Sequence, residues 1–151
     1  MKSGIFAGIG LACAAGLAGC NQPEPAPPSP ADAMQAIRFD NPRLALPAVK
    51  GNPGAVYFDV KNSGGADVAF GDPEVAGAQS AMLHGTSMNE VAQQAVKAGE
   101  TVKFEPGGQH VMAMGLADTL KPGGTTKVTL HFTSGKTAIF PARIIAAGDD
   151  R

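Results

Sequence analysis

The chain has 151 residues, enough for one domain together with targeting and linker segments. Its 12 basic and 13 acidic residues nearly cancel, and no basic run or aromatic platform is present, which argues against a nucleic-acid partner. Twenty Gly, twelve Pro and no Trp favour a small, turn-rich β domain over a helical bundle.

The chain opens with Lys2, an apolar run from Ile5 to Leu17, and then Leu17-Ala18-Gly19-Cys20. The run is too short to span a bilayer and reads as a signal peptide over residues 1–19. Its end looks like a bacterial lipobox, in which cleavage before Cys20 exposes that residue for lipid attachment. Residues 20–35 hold the lipidated Cys and a tether, "NQPEPAPPSPADA", in which five of thirteen residues are Pro. Extended at roughly 3.1 Å per residue, such a tether spans about 40 Å. A folded domain is assigned to residues 36–147 and a polar tail to 148–151. The expected location is the periplasmic side of a bacterial membrane, held by the lipid. In a Gram-negative organism, Asn21 in place of the Asp that commonly signals inner-membrane retention allows sorting to the outer as well as the inner membrane. Cys13 leaves with the signal peptide and Cys20 is acylated, so the mature domain has neither a thiol nor a disulfide. A metal site in it must use other ligands, and it thereby escapes thiol oxidation outside the cytoplasm.

From Met34 onward the apolar period is mostly two. In "AVYFDVKN" (55–62) Val56, Phe58 and Val60 alternate with Tyr57, Asp59 and Lys61, the pattern of a half-buried strand. "NSGGAD" (62–67) is a turn. "AQSAMLH" (78–84) and "MNEVAQQAV" (88–96) read as two strands around the turn Gly85-Thr86-Ser87. Further strands follow at "TVKFE" (101–105), with Val102 and Phe104 inward, and at "HVMAMGL" (110–116). "TTKVTLHF" (125–132) places Val128, Leu130 and Phe132 on one face, and "TAIFPARII" (137–145) closes the domain. Short strands with turns every eight to twelve residues predict an all-β sandwich or small barrel.

The chemistry concentrates between Met82 and Met114, where two of the three His and four of the six Met fall. His84 and Met88 flank the three-residue turn, so a hairpin makes them its closing cross-strand pair, with Cβ atoms about 4.5–5.5 Å apart. His110 and Met112, two residues apart on one strand, point the same way and offer a second such pair. Together the pairs make a His2Met2 site. Thioethers are soft, neutral donors that suit Cu(I) and bind hard cations poorly, while Zn(II) prefers thiolate, imidazole and carboxylate. Neutral ligands give no strong electrostatic capture, which suits a protein that releases its metal. Below about pH 6 protonation of the histidines weakens binding, because a ligating imidazole must be neutral. Taken alone, Met112 and Met114 on an alternating strand are ordinarily core. Met82 shares strand parity with His84 and reads as packing beside the site. Met114 is an alternative thioether, with Gly115 marking the strand's end, and His131 alternates with Leu130 and Phe132 and so belongs to the solvent face.

The segments "LHGTSM", "AGETVKF", "EPGGQHVMAMGL" and "LKPGGTTKVTLHF" together resemble the periplasmic copper chaperone family PCu(A)C over about residues 36–146. That family's signature is a His, a Met further on, 21 residues, then His-x-Met. Met88, followed by 21 residues and His110-Val111-Met112, matches its second half. His84 matches the first His, but only three residues separate it from Met88 where the family usually has ten. The resemblance implies a cupredoxin-like, Greek-key β-sandwich that binds one Cu(I) through His84, Met88, His110 and Met112. It also implies delivery toward cytochrome c oxidase assembly, with the oxidase copper subunit as recipient, alongside a Sco-type thiol protein. The lipid anchor is a departure from many members of that family; an outer-membrane location would favour copper capture or storage.

Other classes are weaker. No Ser-His-Asp or Cys-His set and no motif-placed carboxylate pair is available, so an enzyme is not expected. A blue-copper electron carrier needs a Cys thiolate, which the mature domain lacks. The remaining alternative is a surface lipoprotein of the same fold that binds proteins, its metal site lost with the shortened hairpin.

Overall fold

The structure, a computed structural model, describes residues 35–149. The signal peptide, Cys20, nearly all of the tether and the end of the tail lie outside the described residues. Nine strands form the domain: β1 (Ile37–Ala45), β2 (Gly54–Asn62), β3 (Val68–Val75), β4 (Ser80–His84), β5 (Gln93–Val96), β6 (Thr101–Phe104), β7 (His110–Met114), β8 (Thr125–Phe132) and β9 (Thr137–Ile145). They hydrogen-bond in the order β4-β7-β2-β1-β9-β8-β3-β5, and β6 also pairs with β2. All pairings are antiparallel except β1 with β9. The expected all-β, cupredoxin-like fold is therefore the one observed. It is a single sheet that curls like a barrel, with strands distant in sequence side by side at β4–β7, β2–β7, β1–β9, β3–β8, β3–β5 and β2–β6.

The alternation in β2 and β8 drives this arrangement. Val56, Phe58 and Val60 point inward from β2, and Val128, Leu130 and Phe132 from β8. Phe58 stacks on Phe104 with ring centres 4.4 Å apart, and Phe104 reaches Phe70 at 6.0 Å across the core. Phe140 of β9 meets Phe58 edge-on at 5.4 Å. Each such ring, fully buried, contributes about 1.5–3 kcal/mol of hydrophobic stabilisation. These rings join β2, β3, β6 and β9 and leave the outer face of β4, β7 and β2 for other chemistry.

The structure adds two strands that the alternation did not single out, β1 and β3, and it changes the strand expected over 88–96. β1 and β3 have no clean alternation, because each contains a bulge: Asn41 (φ 50°) in β1 and Asp72 (φ 42°) in β3. The extra residue shifts the parity, so Phe39 and Leu44 both serve the core from positions of opposite parity. The strand expected over 88–96 shrinks to β5, which pairs with β3 and not with β4. Of the expected β4 hairpin only the bridge His84–Glu90 remains.

Asn62 ends β2 fully buried, and its amide is used completely. Its Nδ2 donates to the carbonyls of Ala66 (2.8 Å) and Val96 (3.1 Å), and its Oδ1 accepts from the Gly64 N–H (3.0 Å). This one side chain fixes the 62–67 turn and ties it to β5. Asn62→Ala strands three backbone groups, so chemical denaturation is expected to show a loss of about 1–3 kcal/mol in unfolding free energy.

Candidate metal centre

The candidate ligands sit where β4 lies against β7. The ladder pairs His84 with His110, Leu83 with Val111, Met82 with Met112 and Ala81 with Ala113. Leu83, Val111 and Ala113 are buried in the core. The alternate residues, including the stripe His110-Met112-Met114, therefore face outward. That stripe is not core, and both histidines are nevertheless buried, at 9% and 8% exposure for His84 and His110. Their ring centres lie 5.4 Å apart. Two imidazoles binding one ion at about 2.0 Å through nitrogen hold their ring centres at a comparable separation.

The His110 ring is aimed by the turn before it. The Gly108 N–H donates to the Glu105 carbonyl (2.9 Å), and the Glu105 N–H donates to the Gln109 carbonyl (2.9 Å). Gly107 supplies the left-handed residue this turn needs, at φ 78°. His110 Nδ1 lies 3.0 Å from the Gly108 carbonyl. A carbonyl only accepts, so Nδ1 carries the hydrogen and Nε2 keeps its lone pair for a ligand. Tyr57 flanks the same ring at 6.3 Å between centres, with the Arg43 guanidinium 5.2 Å from the Tyr57 ring centre on its other side. His84 Nδ1 is buried without a hydrogen-bond partner. An orphaned imidazole nitrogen beside a second, oriented imidazole fits a metal-binding pair.

Met88 does not form the expected closing pair with His84. The residue across the hairpin from His84 is Glu90, enclosed by hydrogen bonds from Gly85 N–H to Asn89 O and from Val91 N–H to Leu83 O, both 2.9 Å. The five residues 85–89 form the loop, because Met88 adopts φ 58° and its N–H donates to the Gly85 carbonyl (3.0 Å). Met88 is 61% exposed. It nonetheless lines one surface groove of 450 Å³ with His110, Met112, Tyr57 and Pro53, so three of the four sequence-derived ligands share that groove. His84 adjoins through His110. Met114 stands opposite Ser80, away from the groove, and Gly115 ends the strand with φ 63°, where a Cβ would come within 2.6 Å of the Gln79 side chain. His131 lies on β8, 3.1 Å from Glu74, outside this cluster.

Sequence reading missed Tyr57 and the loop before β2. Tyr57 was legible as an outward residue of β2, but nothing local showed that β7 would lie beside it. Gly54 lets that loop close, since a Cβ there would fall 2.9 Å from the Ala45 carbonyl and 2.8 Å from Leu116. Lys50 pairs with Asp118 at 2.7 Å and holds the Asp118 carboxyl below its ordinary pKa, by hydrogen bond first and by charge second.

Chemically the cluster is neutral and soft. Among the described residues no three His, Cys, Asp or Glu side chains converge as a metal group. The side chains that share the groove with His110 include the thioethers of Met88 and Met112, donors of the kind that suits soft metals.

Comparison with known proteins identifies the family and the fold. A family model described as "Putative lipoprotein LpqE-like" matches residues 37–144. A protein of Leifsonia xyli subsp. xyli, named "Putative lipoprotein Lxx21020", is 36% identical over 92 residues, and the match spans 56% of this chain and 55% of that one. The chain thus spans about half the length of this curated relative. Among solved structures, the copper-bound PCuAC domain from PmoF2 superposes with a TM-score of 0.66 at 21% identity, covering 74% of this chain and 93% of that one. The Cu(I) form of DR1885 from Deinococcus radiodurans gives 0.64 at 27% identity, covering 74% and 80%. The fold is thus that of PCuAC domains, and the match over residues 37–144 establishes that the chain belongs to the LpqE-like family.

Proposed function

We propose that this protein is an extracytoplasmic copper carrier that binds one Cu(I) through His84, His110, Met112 and Met88 and passes it on without catalytic turnover. The observation that carries this reading is the opposed pair His84–His110: two buried imidazoles on the outer face, 5.4 Å apart, beside a groove lined by two thioethers. The copper-bound and Cu(I)-bound neighbours of the same fold support it. Membrane attachment through Cys20 agrees with the family's description as lipoproteins and keeps delivery close to a membrane. The recipient in this reading is the copper subunit of cytochrome c oxidase, reached on the periplasmic side, with a Sco-type thiol protein as co-donor.

Roles follow from placement. His84, His110 and Met112 are strand-borne and form the rigid part of the site. Met88 is loop-borne and exposed, and it closes the site from the solvent side. Neutral donors let the ion leave without separating opposite charges.

The mature chain with Cys20→Ser, which removes the one competing thiol, should bind one equivalent of Cu(I) in competition with a chromophoric Cu(I) chelator. Tyr57 is the single Tyr of a chain without Trp, so its emission should change over the same titration. His110→Ala combined with Met112→Ala should weaken binding by more than the roughly 10–100-fold typical of outer-shell contacts. Unchanged binding in that variant refutes the site. Absence of Cu(I) binding by the unsubstituted chain turns the reading toward a lipoprotein that binds proteins through the same fold.

Met88 carries a backbone cost that a structural residue in its place would not need. Asn adopts the left-handed region readily and Met does not. Met88→Asn is expected to stabilise the metal-free protein by up to about 1 kcal/mol in thermal or chemical unfolding. The same variant should bind Cu(I) more weakly than the native sequence.

A further inference from the structure

Met82 stands on the outward face of β4, directly opposite Met112 and two residues along the strand from His84. Its neighbours Ala81 and Leu83 take the inward side, facing Ala113 and Val111. The two strands thus present two facing pairs of donors, His84 with His110 and Met82 with Met112. Opposed residues hold their Cβ atoms about 4.5–5.5 Å apart. Successive pairs on one face are separated by two strand rises, or about 6.7 Å. Methionine side chains, with three rotatable bonds, reach across that distance. Met82 is also half-buried, neither locked into the core nor free in solvent.

Met88 is placed differently. It lies outside the ladder, on a loop, 61% exposed and left-handed. A partner approaching the groove meets it first.

We propose that Met82 is a further copper ligand, a strand-borne thioether that takes the place of Met88 when the loop residue leaves the ion. The inference rests on the copper-site reading above. The exchange swaps one neutral thioether for another, so no proton, electron or net charge moves. It keeps Cu(I) held by His84, His110 and two sulfurs while the solvent side of the site opens toward a recipient. Four donors on two hydrogen-bonded strands need no loop to be in place, so the ion is retained during the exchange.

The test is a competition titration of the mature Cys20→Ser chain with Met82→Leu, with Met88→Leu, and with both, since Leu keeps the volume and removes only the sulfur. Each single variant should still bind one Cu(I), weakened less than roughly tenfold. The double variant should be weakened by at least roughly tenfold more than the product of the single effects, the coupling expected of residues that share a partner. X-ray absorption on the Cu(I)-loaded Met88→Leu protein should still find two sulfur neighbours, and the double variant one. A double variant that binds as Met88→Leu does, or a Met88→Leu protein with a single sulfur neighbour, overturns the role of Met82. If instead the chain with both methionines in place binds no Cu(I), the copper-site reading fails, and Met82 with it.

Discussion

The register of β4 against β7 is the constraint on which the candidate site depends. With Leu83 opposite Val111, both inward, His84 must stand opposite His110 and Met82 opposite Met112, all outward. A slip of one residue would send the donors into the core and expose Leu83 and Val111. Register is thus specified by hydrophobic burial, and the donor pairs inherit their accuracy from it. β7 is itself held from its other side: Val56 of β2 stands opposite Val111, and further along the same edge of β2 Phe58 pairs with Phe104 of β6 and stacks on it.

A second consequence of register is a row of side chains crossing the outer face: Arg43, Tyr57, His110, His84 and Glu90. His110 lies between the rings of Tyr57 and His84, and its Nδ1–H is spent on the Gly108 carbonyl. Two tilted ring neighbours and one hydrogen bond from Nδ1 restrict the ring and leave Nε2 without a hydrogen-bond partner of its own among them. Orientation by a hydrogen bond from the other ring nitrogen is a common feature of metal-ligating histidines.

Strands whose alternation runs unbroken, β2, β8 and β9, could be placed from the sequence to within a residue. β1 and β3 could not, because Asn41 and Asp72 each insert a residue and reverse the inward parity midway. Within β3 the Gly71-Asp72-Pro73 run resembles a turn, and only pairing with β8 on both sides of the bulge shows that the strand continues. At the site, the spacing His110-x-Met112 was enough to put two donors on one face. The partner of His84 was not legible, because an antiparallel contact between β4 and β7 joins residues 26 apart and nothing local signals it. Proximity along the chain suggested Met88 for that place, and a five-residue loop with Glu90 across from His84 took its position instead.

Three non-glycine residues of the described chain have positive φ, and they are not equivalent. Asn41 and Asp72 are residue types that tolerate the left-handed region, and they sit at bulges that the fold needs. Met88 is neither tolerant of that conformation nor required by the sheet. Backbone strain of about 1–3 kcal/mol persists only where surrounding structure imposes it, and it collects at sites of function. His84 adds a second local cost, a buried imidazole nitrogen with no partner. Both costs fall within a few residues of each other and on the same face. In the copper-carrier reading proposed above, binding that draws the Met88 thioether inward and relaxes its backbone recovers part of this cost, and release gives it back. In that reading, a strained loop and an orphaned nitrogen beside one another favour reversible loading over permanent retention.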